Sequence, residues 1–168
     1  MVVVESGVRG ARMIVVSRSF DDFYAIEFRN AARLAHLLTG QRDLAEDLAQ
    51  DGMTRLLGHY DGLDNPAAYL NTIMVNLCRT WHRSVTREEA RLMRFKPSEG
   101  TFDAEFTDVL TIVDGLPYRQ RAVLVLRYWL DLSEDQIASH LGCRNGTVKS
   151  LSARALGRLR EELGDDVR

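Results

Sequence analysis

Arg144, Asn145, Thr147, Lys149, Ser150 and Arg154 crowd into one short stretch near the C-terminal end of the chain. Cations of this kind meet phosphates, while amide, hydroxyl and guanidinium groups read base edges in the major groove. The chemistry on offer is recognition, not bond-making. No Gly-rich phosphate loop, metal-ligand set or nucleophile–base motif occurs in the sequence, which argues against an enzyme.

Two further sets stand out. Asp43, Glu46, Asp47, Gln50 and Thr54, with Asp51 beside them, recur every three or four residues and so share one side of a helix. Charge alone reads this as a solvated face; it equally suits a partner rich in arginine, through charge-assisted hydrogen bonds. Asn76, Arg79, Trp81, His82 and Arg83 follow an apolar stripe, and the loop before that stripe carries His59, Tyr60, Asp61 and Asn65. Cations with planar or polar walls suit a single strand and an extruded base. Trp81 and Tyr60 also read as plain packing residues.

Helices must position all three sets. Ser133 is a good N-cap with Glu134 and Asp135 in the first turn, where the helix dipole favours negative charge. Ile137, Ala138 and Leu141 make an apolar face, and Gly142 supplies a left-handed end. Asn145 or Thr147 can cap a second helix whose buried side is Val148, Ala155, Leu156 and Leu159. This is a helix-turn-helix, a common DNA-docking module. Upstream, helices are predicted from about Phe20 to Leu38 (cap Ser19, buried face Phe23, Ile26, Ala31, Leu34, Leu37 and Leu38), Arg42 to Leu57 (Leu44, Leu48, Leu56 and the Arg55 stem inward), and Pro66 to Ser84 (Tyr69, Leu70, Ile73, Met74 and Leu77 inward). A short helix from Phe106 to Val113 and another from Tyr118 to about Trp129 precede the helix-turn-helix. Strand-like alternation is scarce, so the fold class is all-α.

The chain has 168 residues and a formal net charge of −2, with no global basic signature. Its charge is instead segregated: basic from Arg79 to Lys96, acidic from Ser98 to Asp114, basic again in the last helix. Cys78 and Cys143 lie far apart, as in a reducing compartment. Cys78 and His82 at i, i+4 lack a second ligand pair, so no metal and no cofactor are expected. No apolar run is long enough for a membrane span, and the first residues lack the features of a signal peptide. Met13 is an alternative start.

The stretch FDDFYAIEFRNAARLAHLLTGQRDLAEDLAQDGMTRLL resembles conserved region 2 of sigma-70-family factors, and LPYRQRAVLVLRYWLDLSEDQIASHLGCRNGTVKSLSARALGRLR resembles their region 4. Nothing between them resembles a folded region 3, which is the form of the extracytoplasmic-function, or group 4, sigma factors. The resemblance implies a disordered extension (1–18), region 2 (19–84), a flexible linker (85–105), region 4 (106–163) and a C-terminal tail (164–168). It implies a promoter-specificity subunit, not an enzyme, that acts in the cytoplasm and joins the nucleoid in holoenzyme.

Its implied partners are core RNA polymerase (the largest-subunit coiled coil and the flap of the second-largest subunit), promoter DNA and an anti-sigma factor. Asp43, Glu46, Asp47, Gln50 and Asp51 would dock on polymerase. Tyr60, Asn65, Asn76, Arg79 and Arg83 would serve the −10 element, and Arg144, Asn145, Thr147, Lys149, Ser150 and Arg154 the −35 element. The acidic linker from Glu99 to Asp108 suits a basic channel, or is a solvated tether. A free-standing helix-turn-helix regulator is the competing reading. Two positions depart from the family wording: Leu151–Ser152 in the last helix, where a thymine-methyl contact by Leu151 is conceivable, and Gly52 within the acidic helix, which allows close packing or a bend.

Overall fold

The computed structural model describes residues 19–85 and 112–163. The N-terminal extension, the linker beyond Val85, the start of the short helix at Phe106 and the C-terminal tail lie outside these residues. Among the described residues every regular element is helical.

Helix α1, Phe20–Thr39, begins at Ser19, whose side chain accepts from the Asp22 amide, and ends at Gly40 with φ +73°. Helix α2 spans Arg42–Leu57 and α3 spans Pro66–Ser84, with one 3-10 turn, Tyr60–Gly62, between them. Asn65 caps α3 by accepting from the Ala68 amide, and Pro66 occupies the first turn, where its missing N–H costs nothing. These three helices pack around Leu34, Leu38, Met53, Leu56, Leu70 and Met74.

The buried stripe of α2 is Ala45, Ala49, Gly52, Met53 and Leu56. Leu44 and Leu48 are only half-buried, and Arg55 is exposed and pairs with Asp51. The small residues at 45, 49 and 52 let α2 approach its neighbours closely, which turns the larger leucines to the flanks. A Cβ on Gly52 would lie 2.4 Å from the Met74 sulfur, so close packing explains this glycine. Two expected core residues are likewise displaced: Ile26 is 52% exposed and Tyr69 36% exposed, while Ala35 of α1 and Val75 and Cys78 of α3 are buried. Burial pushes the Cys78 thiol up to about 12, which leaves it an inert packing group.

In the second half, residues 112–115 are helical and Leu116–Pro117 interrupts them. Helix α4 is Tyr118–Leu124, and a π-type turn, Val125–Trp129, replaces the continuous helix that the periodicity predicts. The Leu130 amide donates to the Val125 carbonyl, and this wide turn leaves Tyr128 65% exposed and Trp129 44% exposed. Asp131 follows with φ +51°. Helix α5, Glu134–Leu141, carries a full capping box: Ser133 accepts from the Gln136 amide, and the Gln136 side chain accepts from the Ser133 amide. Gly142, φ +61°, ends it, and α6 runs Asn145–Leu163.

The two halves pack on each other. Tyr118, Val123, Leu126, Ile137, Leu141 and Val148 belong to the same buried apolar cluster as the α1–α3 core. At the seam, Arg121 of α4 is 4% exposed and lies against the C-cap of α1, with Asp114 3.5 Å from its Nη1. His36 is buried there too, and desolvation holds its imidazole below the usual value; Asp114 opposes this, the Gln41 backbone also opposes it, and Arg42 and Arg121 add to the depression. Asp114 itself is raised by burial. His140 is lowered by burial and then by Arg79.

Two expectations follow. Gly52→Val should destabilise the protein by about 2 kcal/mol, the scale of overpacking a filled core. Urea denaturation tests it, and an unchanged midpoint would mean that Met74 repacks at no cost. The second concerns pH. His36 and His140 resist protonation when folded, so the unfolded chain binds protons more readily below the ordinary value of 6.5. Their contribution to stability is complete above that value and is lost as pH falls through it. Asp114 has the opposite sign, because its raised value relieves a penalty on acidification, but it acts nearer the carboxylate range of 3.8. The thermal midpoint should therefore drop between about pH 7.5 and about pH 5.5, and His36→Gln should flatten that slope.

Candidate nucleic-acid interface

Helix α6 presents its polar side because its apolar side is fully committed. Val148, Leu151, Ser152 and Ala155 are buried. Leu151 is 8% exposed and joins the main core cluster, so it packs inward as an apolar core residue. Arg144, Asn145, Lys149 and Arg154 are exposed, and Thr147 and Ser150 are half-buried. All six lie on the N-terminal part of α6 or the turn before it. Arg158, one helical turn beyond Arg154, is also exposed and continues the basic strip. Its i, i+4 spacing from Arg154 was legible in the sequence.

The start of α6 differs from the expected capping. The Arg144 carbonyl accepts from the Thr147 and Val148 amides, and neither Asn145 nor Thr147 serves as the cap. Asn145 instead donates through Nδ2 to Asp135 of α5. This bond ties the first turn of α6 to the first turn of α5 and fixes how the second helix projects. Glu134 adds two charged contacts, to Arg127 at 3.3 Å and to Lys149 at 3.7 Å. The Ser150 hydroxyl donates to the Thr147 carbonyl at 3.0 Å. Asp135 and Glu134 orient the start of α6, and no local sequence signal announces it, because Asn145 and Lys149 lie ten and fifteen residues from these partners.

On α3, Asn76, Arg79 and Arg83 fall at i, i+3 and i+7 and share a side. Asn76 and Arg83 are exposed, and Arg79 donates from Nη2 to Asn76 Oδ1 at 3.1 Å. The loop residues are not gathered with them. The Tyr60 ring packs edge-on against Phe20 and tilted against Phe23, each at 5.3 Å. Asn65 spends its side-chain oxygen on the α3 cap. His59 and Asp61 are exposed.

The acidic helix behaves as its spacing predicts. Asp43, Glu46, Asp47, Gln50 and Thr54 are all exposed on α2. Gln50 Oε1 accepts from the Tyr24 hydroxyl at 2.8 Å, which orients the amide. Asp51 stands apart, engaged by Arg55 through Nε at 2.8 Å and Nη2 at 2.9 Å. Among the described residues no cluster of three or more His, Cys, Asp or Glu converges as a metal site, and no helix is long and apolar enough to cross a membrane.

These surfaces, an acidic helix in one half and a helix-turn-helix in the other, coincide with two family matches. Residues 26–88 match Sigma-70 region 2, and residues 106–159 match Sigma-70, region 4. The chain belongs to the sigma-70 family, in its extracytoplasmic-function (ECF) group, and is an RNA polymerase sigma factor of transcription initiation.

Among its relatives, the RNA polymerase sigma-E factor of Streptomyces avermitilis is 37% identical, over 71% of this chain and 70% of the relative. The ECF RNA polymerase sigma factor SigL of Mycobacterium tuberculosis is 30% identical over 95% of this chain and 96% of its own. Among solved structures, the sigma factor RpoE in complex with the anti-sigma factor NepR from Bartonella quintana aligns with a TM-score of 0.66 and 26% identity, covering 89% of this chain and 98% of that one. A free-standing regulator is not favoured, since region 2 is matched as well as region 4.

The burial of Leu151 has a direct check. Leu151→Ala should lower stability by about 3 kcal/mol, within the range for truncating a core leucine. Arg154→Ala should change stability by no more than about 0.5 kcal/mol, as an exposed substitution does. Equal, small effects in denaturant titrations would place Leu151 on the surface after all.

Proposed function

We propose that the three surfaces divide promoter recognition among them. The exposed face of α2, led by Asp47 and Gln50 with Asp43 and Glu46, docks on the largest-subunit coiled coil of core RNA polymerase, and Asp51 supports it through Arg55. Helix α3 holds the −10 element, with Asn76 and Arg79 as its main groups and Arg83 on the strand backbone. Tyr60 and Asn65 contribute by shaping the loop before α3. Helix α6 lies in the major groove at the −35 element, using Arg144, Asn145, Thr147, Lys149, Ser150 and Arg154, while region 4 also meets the flap of the second-largest subunit. The chain carries no catalysis of its own. It works in the cytoplasm, with the nucleoid once in holoenzyme, and an anti-sigma factor is its natural regulator.

One observation supports this division best. Charges of opposite sign stand exposed on separate helices, and beside each set a neutral amide is oriented by a side-chain hydrogen bond: Gln50 by Tyr24 on α2, and Asn145 by Asp135 at α6. An acidic surface would repel DNA phosphates, and a basic surface attracts them. The sequence boundaries of the two domains follow the same division, with region 2 at 19–84, the linker at 85–105 and region 4 at 106–163.

The test is transcription in vitro. The protein is added to homologous core polymerase and sheared genomic DNA, and transcript 5′ ends are sequenced. New starts sharing −35 and −10 motifs are expected. Asp47→Arg should weaken core binding about tenfold or more, because a like charge at a docking site is strongly unfavourable. Arg154→Ala should leave core binding intact and cost about 1–3 kcal/mol at the −35 element. An Asp47→Arg variant with wild-type core affinity would remove α2 as the docking face.

A further inference from the structure

Asn145 opens α6 and is exposed, yet its side chain is held in one orientation. Its Nδ2 donates to Asp135 Oδ1 at the start of α5. A carboxylate oxygen accepts hydrogen bonds and has no hydrogen to give, so chemistry settles which end of the amide faces Asp135. The Nδ2 end turns toward α5 and the Oδ1 end turns away from it. Hydrogen bonds to a carboxylate are also stronger than those between neutral groups. The tether uses one of the two Nδ2 hydrogens. Among the described residues nothing donates to Asn145 Oδ1, and the first turn of α6 closes on the Arg144 carbonyl without help from this side chain. An acceptor, with one further N–H beside it, is left pointing outward.

The platform that holds the amide is itself fixed. Asp135 sits inside the capping box of α5, where Ser133 accepts from the Gln136 amide and Gln136 Oε1 accepts from the Ser133 amide. The adjacent Glu134 contacts Arg127 before the helix-turn-helix at 3.3 Å and Lys149, one turn along α6, at 3.7 Å. The outer side of the site is open. Gly146 follows Asn145, and no atom lies within 4 Å of where its Cβ would stand, so a base edge has room beside the amide.

We infer that Asp135 is a specificity-determining positioning residue: by holding the Asn145 amide one way round, it makes α6 select a base that carries an exocyclic amino group and reject one that carries a keto group. The inference rests on the reading proposed above, in which α6 lies in the major groove at the −35 element. In that groove adenine offers its N6 amino group and cytosine its N4, whereas guanine and thymine offer the oxygens O6 and O4. A free asparagine turns over and serves either class, so it discriminates little. The tethered amide meets an amino group with Oδ1. A keto oxygen at the same place sets two acceptors face to face, both stripped of water and unpaired. Adenine also takes the second Nδ2–H at its N7, so it is preferred to cytosine. Asp135 touches no base. A negative charge beside the groove weakens binding to every duplex, and what it contributes is the difference between sequences.

The experiment joins the full chain to homologous core polymerase, mixes the holoenzyme with duplex DNA containing a random stretch, and sequences the bound DNA to obtain the base preference at each position. The wild type should show one −35 position where amino bases exceed keto bases about tenfold, with adenine ahead of cytosine. Asn145→Ala should level that position and leave the others. Asp135→Ala frees the amide and should reduce the ratio to about threefold or less. Asp135→Asn is the sharpest variant, because its new amide can donate to Asn145 Oδ1 and turn the Asn145 side chain over. Keto bases at that position should then rise at least about threefold over the wild type, with the other positions unchanged. Asp131→Asn removes the same charge from an exposed residue outside these contacts and should leave the whole profile as it is. All these positions are exposed, and circular dichroism confirms that each variant is folded.

A keto preference, or none, at the position that depends on Asn145 would overturn the inference. So would a profile that Asp135→Ala and Asp135→Asn leave unchanged. Arg154→Ala separates this failure from that of the underlying reading. If it flattens a position of its own while the Asp135 variants do nothing, α6 still reads the −35 element and only the role of Asp135 is lost. If neither Arg154→Ala nor Asn145→Ala alters any position, the −35 assignment of α6 falls, and the role of Asp135 falls with it.

Discussion

Among the described residues two helices end in left-handed glycines, Gly40 after α1 and Gly142 after α5, and both ends lie at the seam between the halves. A helix C-terminus is a line of carbonyls without partners and a concentration of negative partial charge. Here Arg79 of the far half donates to the His140 carbonyl at one end, and the Arg121 guanidinium lies close to Gly40 at the other. Much of the tertiary arrangement depends on this. The cap glycines allow the backbone to turn away at once, so that the arginine head groups can come in close. A side chain at Gly40 would meet Arg121 directly. The apolar cluster that spans both halves supplies cohesion, and the arginines supply direction, since a hydrophobic contact alone has no preferred register.

The same logic of committed and uncommitted faces organises the functional surfaces. Each helix has one apolar stripe, and burying it determines which polar groups point outward. In α2 the stripe is narrow and made of small residues, so the acidic side is broad and exposed. In α6 the stripe takes in Leu151 and Ser152, so the exposed polar groups begin at the turn before the helix and continue through Arg154 to Arg158. Side-chain bonds then restrict what would otherwise be mobile groups. Tyr24 holds Gln50, Asp51 and Arg55 hold each other, and Asp135 holds Asn145. Orientation before contact lowers the entropy cost of binding.

The two departures from family wording acquire physical explanations. Gly52 faces Met74 at a distance that admits no Cβ, so the glycine's low helix propensity is offset by close helix packing. Leu151 fills the core beneath α6, next to the buried Ser152. Both residues lie in buried helix contacts. The π-type turn at Val125–Trp129 is a third local feature, and it places the exposed Tyr128 and Trp129 on the bend that leads into the helix-turn-helix.

The all-α class, the helix boundaries in the first half and the helix-turn-helix were legible from residue order alone, because they rest on short-range rules. Ser19 and Ser133 cap, Pro66 opens a helix, Gly40 and Gly142 close helices, and apolar residues at spacings of three and four mark the inward side. The exposed acidic and basic sets were legible for the same reason. Which apolar residue is buried was not: Ile26 and Tyr69 satisfy the periodicity yet face outward, and Val75 and Cys78 are buried instead. Periodicity locates a stripe to within one residue, but the neighbouring helix decides its edges. The sequence could not show that Arg79 reaches His140, that Arg121 meets the end of α1, or that Asn145 binds Asp135 rather than capping its own helix. Those contacts join residues between ten and more than sixty positions apart, and only the folded chain brings them within hydrogen-bond reach.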